Sequence, residues 1–153
     1  MKTANRNLKL MALAAMFAAM ICVTTAYLFH IPVGVNNGYI HLGDAFIYLA
    51  AAFLPWPYAI GAAAVGAATA DILTGAAVWA VPTMIIKALM VLPFSSKGHR
   101  ILGLRNIMGV LFSFAGIWPG ILQSIGGGLL FLLLGVALDK ADMKQRLLSR
   151  SHN

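Results

Sequence analysis

The sequence predicts an all-α membrane protein, a bundle of about six transmembrane helices whose two termini are cytoplasmic. The chain of 153 residues is 61% hydrophobic and 10% charged and contains no Glu, whereas soluble domains are about half apolar and a quarter charged. Its basic residues are grouped between apolar segments rather than spread over a surface. Helices that are apolar on all faces have no side for water, so lipid is the expected solvent.

Six apolar segments predict the helices of a single domain. A helix needs about 20 apolar residues to cross a bilayer, and the first, third and sixth segments reach that length. The stretch 101–138 is predicted to form two helices rather than one kinked helix, because Pro119 and the glycines beside it interrupt it. The six segments cover residues 8–29, 40–54, 57–76, 80–94, 101–116 and 119–138.

The charges give an independent test of this topology. Loops rich in Lys and Arg stay in the cytoplasm, and four crossings separate the N-terminus from the basic loop around residues 95–105. The connections 30–39 and 77–79 contain no Lys or Arg and are predicted to face outward. All Lys and Arg residues except Lys87 fall in three groups, Lys2, Arg6 and Lys9, then Lys97, Arg100 and Arg105, then Lys140, Lys144, Arg146 and Arg150.

Several function classes find no support. The net charge of +7 does not indicate nucleic-acid binding, because the basic residues flank apolar segments, as membrane anchors do. The single Cys22 allows neither an internal disulfide nor a Cys-based metal site. No phosphate-binding loop, zinc-protease motif or nucleophile elbow occurs. We therefore predict no catalytic residue, metal or cofactor, and if the protein moves a solute uphill, the energy must come from another subunit or from an ion gradient.

Three charged residues fall inside the apolar segments, where charge is costly and usually functional. At about 1.5 Å of rise per residue, Asp44, Asp71 and Lys87 lie about 6, 8 and 10 Å from the outer ends of their segments. Two interpretations stay open. Asp71 and Lys87 could form a structural ion pair between neighbouring antiparallel helices, or the charges could contact a ligand.

Further polar and aromatic residues are predicted near the same depth. Asn37, Tyr39 and His41 precede Asp44 and offer donors, acceptors and a ring that suit a small heteroaromatic ligand, although Asn-Asn-Gly is also typical of an ordinary turn. Trp79 could stack on a flat substrate or simply belong to an interfacial aromatic belt. Gln123, at an apolar depth, could bind ligand or a neighbouring helix.

The first helix carries small residues four positions apart. Ala14 with Ala18, and Ala15 with Ala19, place smooth surfaces along the helix where another helix can approach closely. Such a surface serves internal packing or the docking of a membrane partner.

Three stretches resemble a known family. They are Gly38-Tyr39-Ile40-His41-Leu42-Gly43-Asp44-Ala45-Phe46-Ile47-Tyr48-Leu49, then Gly66-Ala67-Ala68-Thr69-Ala70-Asp71-Ile72-Leu73-Thr74-Gly75, and Trp79-Ala80-Val81-Pro82-Thr83-Met84-Ile85-Ile86-Lys87-Ala88-Leu89-Met90. They are similar to substrate-binding (S) components of energy-coupling factor (ECF) transporters, in the riboflavin-transporter-like group that includes hydroxymethylpyrimidine and pyridoxine carriers.

The resemblance implies a function and partners. It implies a multi-pass subunit of the bacterial plasma membrane that takes up a vitamin or vitamin precursor, works with a transmembrane coupling subunit and two ATPase subunits, and docks through the Ala14/Ala18 and Ala15/Ala19 surfaces. Since the region between Lys87 and Gln123 is shorter than is usual in this family, a smaller or more open pocket is expected. The ligand-binding residues it implies are Asn37, Tyr39, His41, Asp71, Trp79, Lys87 and Gln123.

Two other functions compete with this interpretation. The chain could be a membrane scaffold or assembly protein whose buried charges are structural and which binds no ligand. The chain could also be a membrane enzyme, but the sequence contains no recognisable set of catalytic residues that would support this function. Two Asp against one Lys in the apolar segments favour a neutral or cationic ligand over an anion.

Overall fold

The computed structural model describes the backbone of residues 2–28, 31–33, 38–40, 43–98, 100–116 and 121–149, and the side chains of residues 4–28, 43–98, 100–112 and 127–147. The described chain is a helical bundle with one short two-stranded hairpin. The helices are α1 (Lys2–Ala26), α2 (Gly43–Phe53), α3 (Trp56–Leu73), α4 (Ala80–Val91), α5 (Leu104–Gly116), α6 (Ile121–Lys140) and α7 (Met143–Ser149). The strands are β1 (Ile31–Val33) and β2 (Gly38–Ile40), and a 3₁₀ helix (Ala77–Trp79) precedes α4.

The helix α2 lies at the centre of the bundle. It contacts α1, α3, α4, α5 and α6, and each of its residues except Phe46 is buried. A helix that is apolar on all faces belongs in such an interior. Tyr48 stacks on Phe94 with ring centroids 4.9 Å apart, and both rings meet Phe131 of α6 edge-on, which ties the centre of the bundle to α6.

Small residues bring α1 and α3 together. A Cβ atom added at Gly66 would lie 2.6 Å from the carbonyl oxygen of Ala18 and 3.0 Å from the Cβ atom of Ile21. Ile21 and Ala63 are fully buried beside this crossing. Lipid tails are as apolar as the side chains, so helices in a membrane gain from close van der Waals packing of this kind.

The chain between α1 and α2 forms a hairpin where the sequence predicted an outward loop. β1 and β2 pair antiparallel, with Ile31 opposite Ile40 and Pro32 opposite Tyr39. This pairing uses the backbone of Ile40, which the sequence placed at the start of the second helix, and α2 begins at Gly43 instead. β2 lies against α6.

Gly75 ends α3 earlier than predicted. Its φ angle of 80° lies in the left-handed region that side chains with a Cβ atom rarely adopt. The N–H of Ala76 donates to the carbonyl oxygen of Asp71 at 2.8 Å, and that of Gly75 donates to Ile72 at 3.2 Å. This pair of bonds is a Schellman cap, so the helix stops at Leu73 and the chain turns into α4.

Side-chain hydrogen bonds shape the connection between α4 and α5. Both carboxylate oxygens of Asp139 accept backbone N–H bonds, one from Ile101 at 2.6 Å and one from Leu102 at 2.9 Å. The Asn106 amide donates to the carbonyl oxygen of Ile101 at 2.8 Å. These bonds hold residues 101 and 102 outside the helix, so α5 begins at Leu104 and not at the predicted residue 101.

The stretch 101–138 contains two helices, α5 and α6, as predicted, and not the alternative of one kinked helix. The turn predicted between them falls on residues 117–120, outside the described residues. α7 was not predicted. We call the end of the bundle that carries the start of α1, the α4–α5 connection and α7 the basic end. The opposite end, where α1 and α3 end and α2 and α4 begin, is the hairpin end.

Apolar side chains cover much of the outer surface of the described bundle. Ile85 and Leu89 of α4 are 57% exposed, and Phe112 of α5 is 65% exposed. A soluble monomer rarely exposes contiguous apolar surface of this kind, whereas lipid accommodates it. By length and hydropathy, Ala4–Ala26 is the one helix of the described residues that could cross a membrane by itself, and the apolar helices Gly43–Phe53 and Ala77–Val91 are shorter.

The crossing of α1 and α3 generates a test with a built-in control. Gly66→Ala should lower the free energy of unfolding by about 1–3 kcal/mol, because the new methyl group overpacks the contact with Ala18. Gly61→Ala, on the same helix, meets no atom of another element within 4 Å of the added Cβ and should leave stability unchanged or raise it by up to about 1 kcal/mol. Unfolding of the detergent-purified variants measures both, and equal effects would contradict the close crossing.

Candidate substrate site at the hairpin end

Asp44 lies in the first turn of α2 and is 3% exposed. The N-terminus of a helix carries a partial positive charge that favours a carboxylate. The neighbouring helices reach this turn through small residues. A Cβ atom added at Gly127 of α6 would lie 2.7 Å from the Cβ atom of Asp44, and one at Gly43 would clash with Thr25 of α1. α1 and α6 therefore pack closely against the first turn of α2.

Lys87 of α4 supplies the countercharge. Its Nζ atom donates to Oδ1 of Asp44 at 2.6 Å, and the two side chains are 13% and 4% exposed. One of the two interpretations, an ion pair of Lys87 with Asp71, is wrong, since the structure joins Lys87 to Asp44. Residue spacing estimates the depth of a charge along a helix, but it does not give the direction around the axis, and that direction decides the partner.

Asp71 remains as a separate acidic group at the same end. It lies two residues before the end of α3, and its Oδ2 atom is buried without a hydrogen-bond partner among the described residues. A carboxylate near a helix C-terminus is disfavoured by the helix dipole, and a buried acceptor without a donor costs about 1–3 kcal/mol. A ligand that brings an N–H or O–H group would satisfy this acceptor.

The structure describes only some of the other predicted site residues. Trp79, in the 3₁₀ helix, is 65% exposed. Tyr39 belongs to β2 and Gln123 to α6, but their side chains lie outside the described residues, as do Asn37 and His41 altogether. Two cavities of about 520 and 420 Å³ occur at the basic end, and neither is lined by Asp44, Asp71 or Lys87.

A comparison with protein families identifies the chain. Residues 5–142 match the model of the family described as ECF-type riboflavin transporter, S component. The match covers α1 to α6 and thus every helix around Asp44. The chain belongs to this family of S components. Neither the curated proteins nor the solved structures gave a match.

Membership of the family settles the general function. S components are membrane subunits of vitamin-uptake transporters and work with a coupling subunit and ATPases, so this protein is a transport subunit and not an enzyme. The sequence-based prediction of an all-α membrane protein of the S-component type is confirmed at this level.

The structure separates the two small-residue surfaces of this S component. Ala14 and Ala18 pack against the buried core, and Ala18 touches Gly66 of α3, so this pair serves internal packing. Ala15 and Ala19 are exposed on the outside of α1. A docking role for α1 stays a prediction, and Ala15 and Ala19 are the members of the predicted surface that remain free for a partner in the described bundle.

Residues around Asp44 that sequence reasoning missed are Thr25 and Gly127. A signal for Gly127 existed in the run Gly126-Gly127-Gly128 inside an otherwise apolar helix. Each glycine in a helix costs about 1 kcal/mol relative to alanine, so such a run indicates a place where another backbone comes close. No comparable pattern marks Thr25.

The ion pair gives a second test. Lys87→Met leaves the Asp44 carboxylate buried without its countercharge, and removal of one partner of a buried pair costs about 3–5 kcal/mol of unfolding free energy. Asp44→Asn combined with Lys87→Met should recover most of that loss, because neither charge remains. Chemical unfolding of the single and double variants in detergent measures the coupling.

Lys97→Met is the control for the ion-pair test, since Lys97 is exposed near the basic end, and it should leave stability unchanged. Strictly additive losses in the double variant would show that Lys87 and Asp44 are not coupled.

Proposed function

We propose that this S component binds a vitamin or vitamin precursor with a pyrimidine-like or pyridine-like ring at the hairpin end. The observation that carries the proposal is the buried Oδ2 atom of Asp71, which has no donor among the described residues. Asp44 is neutralised by Lys87 at 2.6 Å, so its charge is already balanced within the protein. Asp71 is the acceptor that a ligand can satisfy.

The charges indicate which ligands suit the site. After Asp44 and Lys87 neutralise each other, the carboxylate of Asp71 leaves a net negative charge, which favours a neutral or cationic ligand. Ring N–H, amino or hydroxymethyl groups on a pyrimidine or pyridine supply the donors that a carboxylate accepts. We propose that Trp79 stacks on the ring and that Asn37, Tyr39, His41 and Gln123 complete the contacts.

The arrangement in the membrane is also part of the proposal. We propose a multi-pass subunit in the bacterial plasma membrane, with the basic end, both termini and the loop near Lys97 in the cytoplasm, as the positive-inside rule favours. The substrate site then faces outward. A transmembrane coupling subunit packs on the exposed Ala15/Ala19 surface, and two ATPase subunits supply the energy.

A structural scaffold is the competing function, and one observation favours it. The Asp44–Lys87 pair is complete within the chain and needs no ligand. The scaffold interpretation leaves the buried Oδ2 atom of Asp71 without a role, and that atom separates the two functions.

A ligand screen tests the proposed site. The detergent-purified protein should gain thermal stability with one compound of a panel that contains hydroxymethylpyrimidine, pyridoxine, thiamin and riboflavin, by about 2.7 kcal/mol at a hundredfold excess over the dissociation constant. Asp71→Asn should weaken binding of that compound by about tenfold or more, since a charge-assisted hydrogen bond contributes about 1.5–3 kcal/mol.

The control for the ligand screen is Asp142→Asn, an exposed Asp at the basic end, which should bind as the parent protein does. The absence of a shift with every compound, from folded protein, would favour the scaffold.

The docking surface of α1 gives a separate prediction. Ala15→Leu should leave folding and ligand binding intact and lower uptake in cells about tenfold, because added methyl groups at a packed interface cost about 1–3 kcal/mol. Ala18→Leu should instead lower stability, because Ala18 faces Gly66 inside the bundle.

Ala137→Leu, an exposed alanine of α6, is the matched control for Ala15→Leu and should keep normal uptake. Normal uptake with Ala15→Leu as well would remove the docking role of this surface.

A further inference from the structure

A charged cavity lies at the basic end, away from the substrate site. Its volume is about 520 Å³, within the range of small-ligand pockets. It opens between the α4–α5 connection, the last turns of α6 and the start of α7. Three cationic and two acidic side chains line it together with Leu102, Val136 and Gln145, and these charged residues are Arg100, Lys140, Lys144, Asp139 and Asp142.

Lys144 is the unusual member of this cavity. It is 3% exposed, and its Nζ atom has no hydrogen-bond partner among the described residues. The chain places it there through the turn between α6 and α7, where Asp142 takes a φ of 50°. An ammonium group has three donors, and burying it without an acceptor is costly.

The pKa of Lys144 agrees with this burial. Burial lowers the pKa of its amine from 10.5 to about 8, while the nearby charge of Asp139 acts in the opposite direction. The amine therefore remains mostly protonated at neutral pH, and the cavity contains a buried cation that has no hydrogen-bond acceptor among the described residues.

Asp139, whose charge acts on this cation, is already engaged. Asp139 directs its two carboxylate oxygens to the N–H groups of Ile101 and Leu102, at 2.6 and 2.9 Å. Both of its carboxylate oxygens therefore already accept hydrogen bonds from the α4–α5 connection. Water could accept one bond from Lys144 but would not neutralise it, whereas an anion can do both.

We propose that this cavity binds a phosphate group, with Lys144 as the buried donor and Arg100 and Lys140 as cations at its mouth. Arg100 and Lys140 are exposed, so they can reach an incoming anion, and a guanidinium group matches the oxygens of a phosphate in a two-pronged geometry. Anionic phospholipid headgroups and free phosphate share this chemistry. A membrane surface beside a basic end offers the headgroup at high local concentration.

The test compares stabilisation by lipid and by free phosphate. The detergent-purified protein is melted with phosphatidylglycerol, with phosphatidylcholine and with inorganic phosphate, at equal ionic strength. Phosphatidylglycerol should raise the melting temperature by about 3 °C more than phosphatidylcholine does. Lys144→Met should lose this difference, and Lys97→Met, which removes a charge that does not line the cavity, should keep it.

The outcomes distinguish the two sources of phosphate. A shift with phosphatidylglycerol alone supports the lipid headgroup, and an equal shift with inorganic phosphate supports free phosphate as the ligand. Arg100→Gln changes an exposed side chain and should reduce the same shift. It replaces Lys144→Met as the test variant if Lys144→Met does not fold. The proposal is overturned if no anion stabilises the parent protein, or if the variants respond as the parent does.

Discussion

The arrangement of the bundle depends on the burial of one carboxylate, that of Asp44, at the start of the central helix. α2 is surrounded by five other helices, so a charge on it cannot reach solvent by moving outward. The Nζ atom of Lys87 on α4 neutralises it at 2.6 Å, and the helix dipole favours it. A buried pair of this kind contributes little net stability, but removal of one partner is costly, so it fixes α2 and α4 in one relative position.

Glycine and alanine residues allow the other helices to pack closely around α2 and α1. α6 approaches Asp44 at Gly127, α1 approaches α2 at Gly43, and α3 approaches α1 at Gly66. In lipid, van der Waals contacts between closely packed helices drive helix association, whereas in water the hydrophobic effect does so. The same packing uses the Ala18 side of α1 inside the bundle and leaves Ala15 and Ala19 outside, where a membrane partner can reach them.

The two ends of the bundle use polar groups differently. At the basic end, the Asp139 carboxylate accepts hydrogen bonds from the backbone of the α4–α5 connection, and the Asn106 amide donates one to it. These bonds fix the conformation of this connection. At the hairpin end, the Asp71 carboxylate keeps an oxygen without a partner among the described residues. Each end nevertheless keeps one buried polar atom without a partner among the described residues, an acceptor (Oδ2 of Asp71) at the hairpin end and a donor (Nζ of Lys144) at the basic end, and these two atoms are where we propose that ligands bind.

The sequence by itself determined that this is an all-α membrane protein, the approximate positions of α1 to α6, and that Asp44, Asp71 and Lys87 lie within these helices, because lipid excludes hydrophilic surface over a fixed thickness. It did not reveal α7 or the burial of Lys144. The tertiary structure decided that Lys87 pairs with Asp44 and not Asp71. It also decided that Ala18 faces inward and Ala15 outward. Helices that are apolar on all faces carry no stripe that reveals their rotation, so residue spacing gives depth along each axis but not the neighbour that a side chain meets.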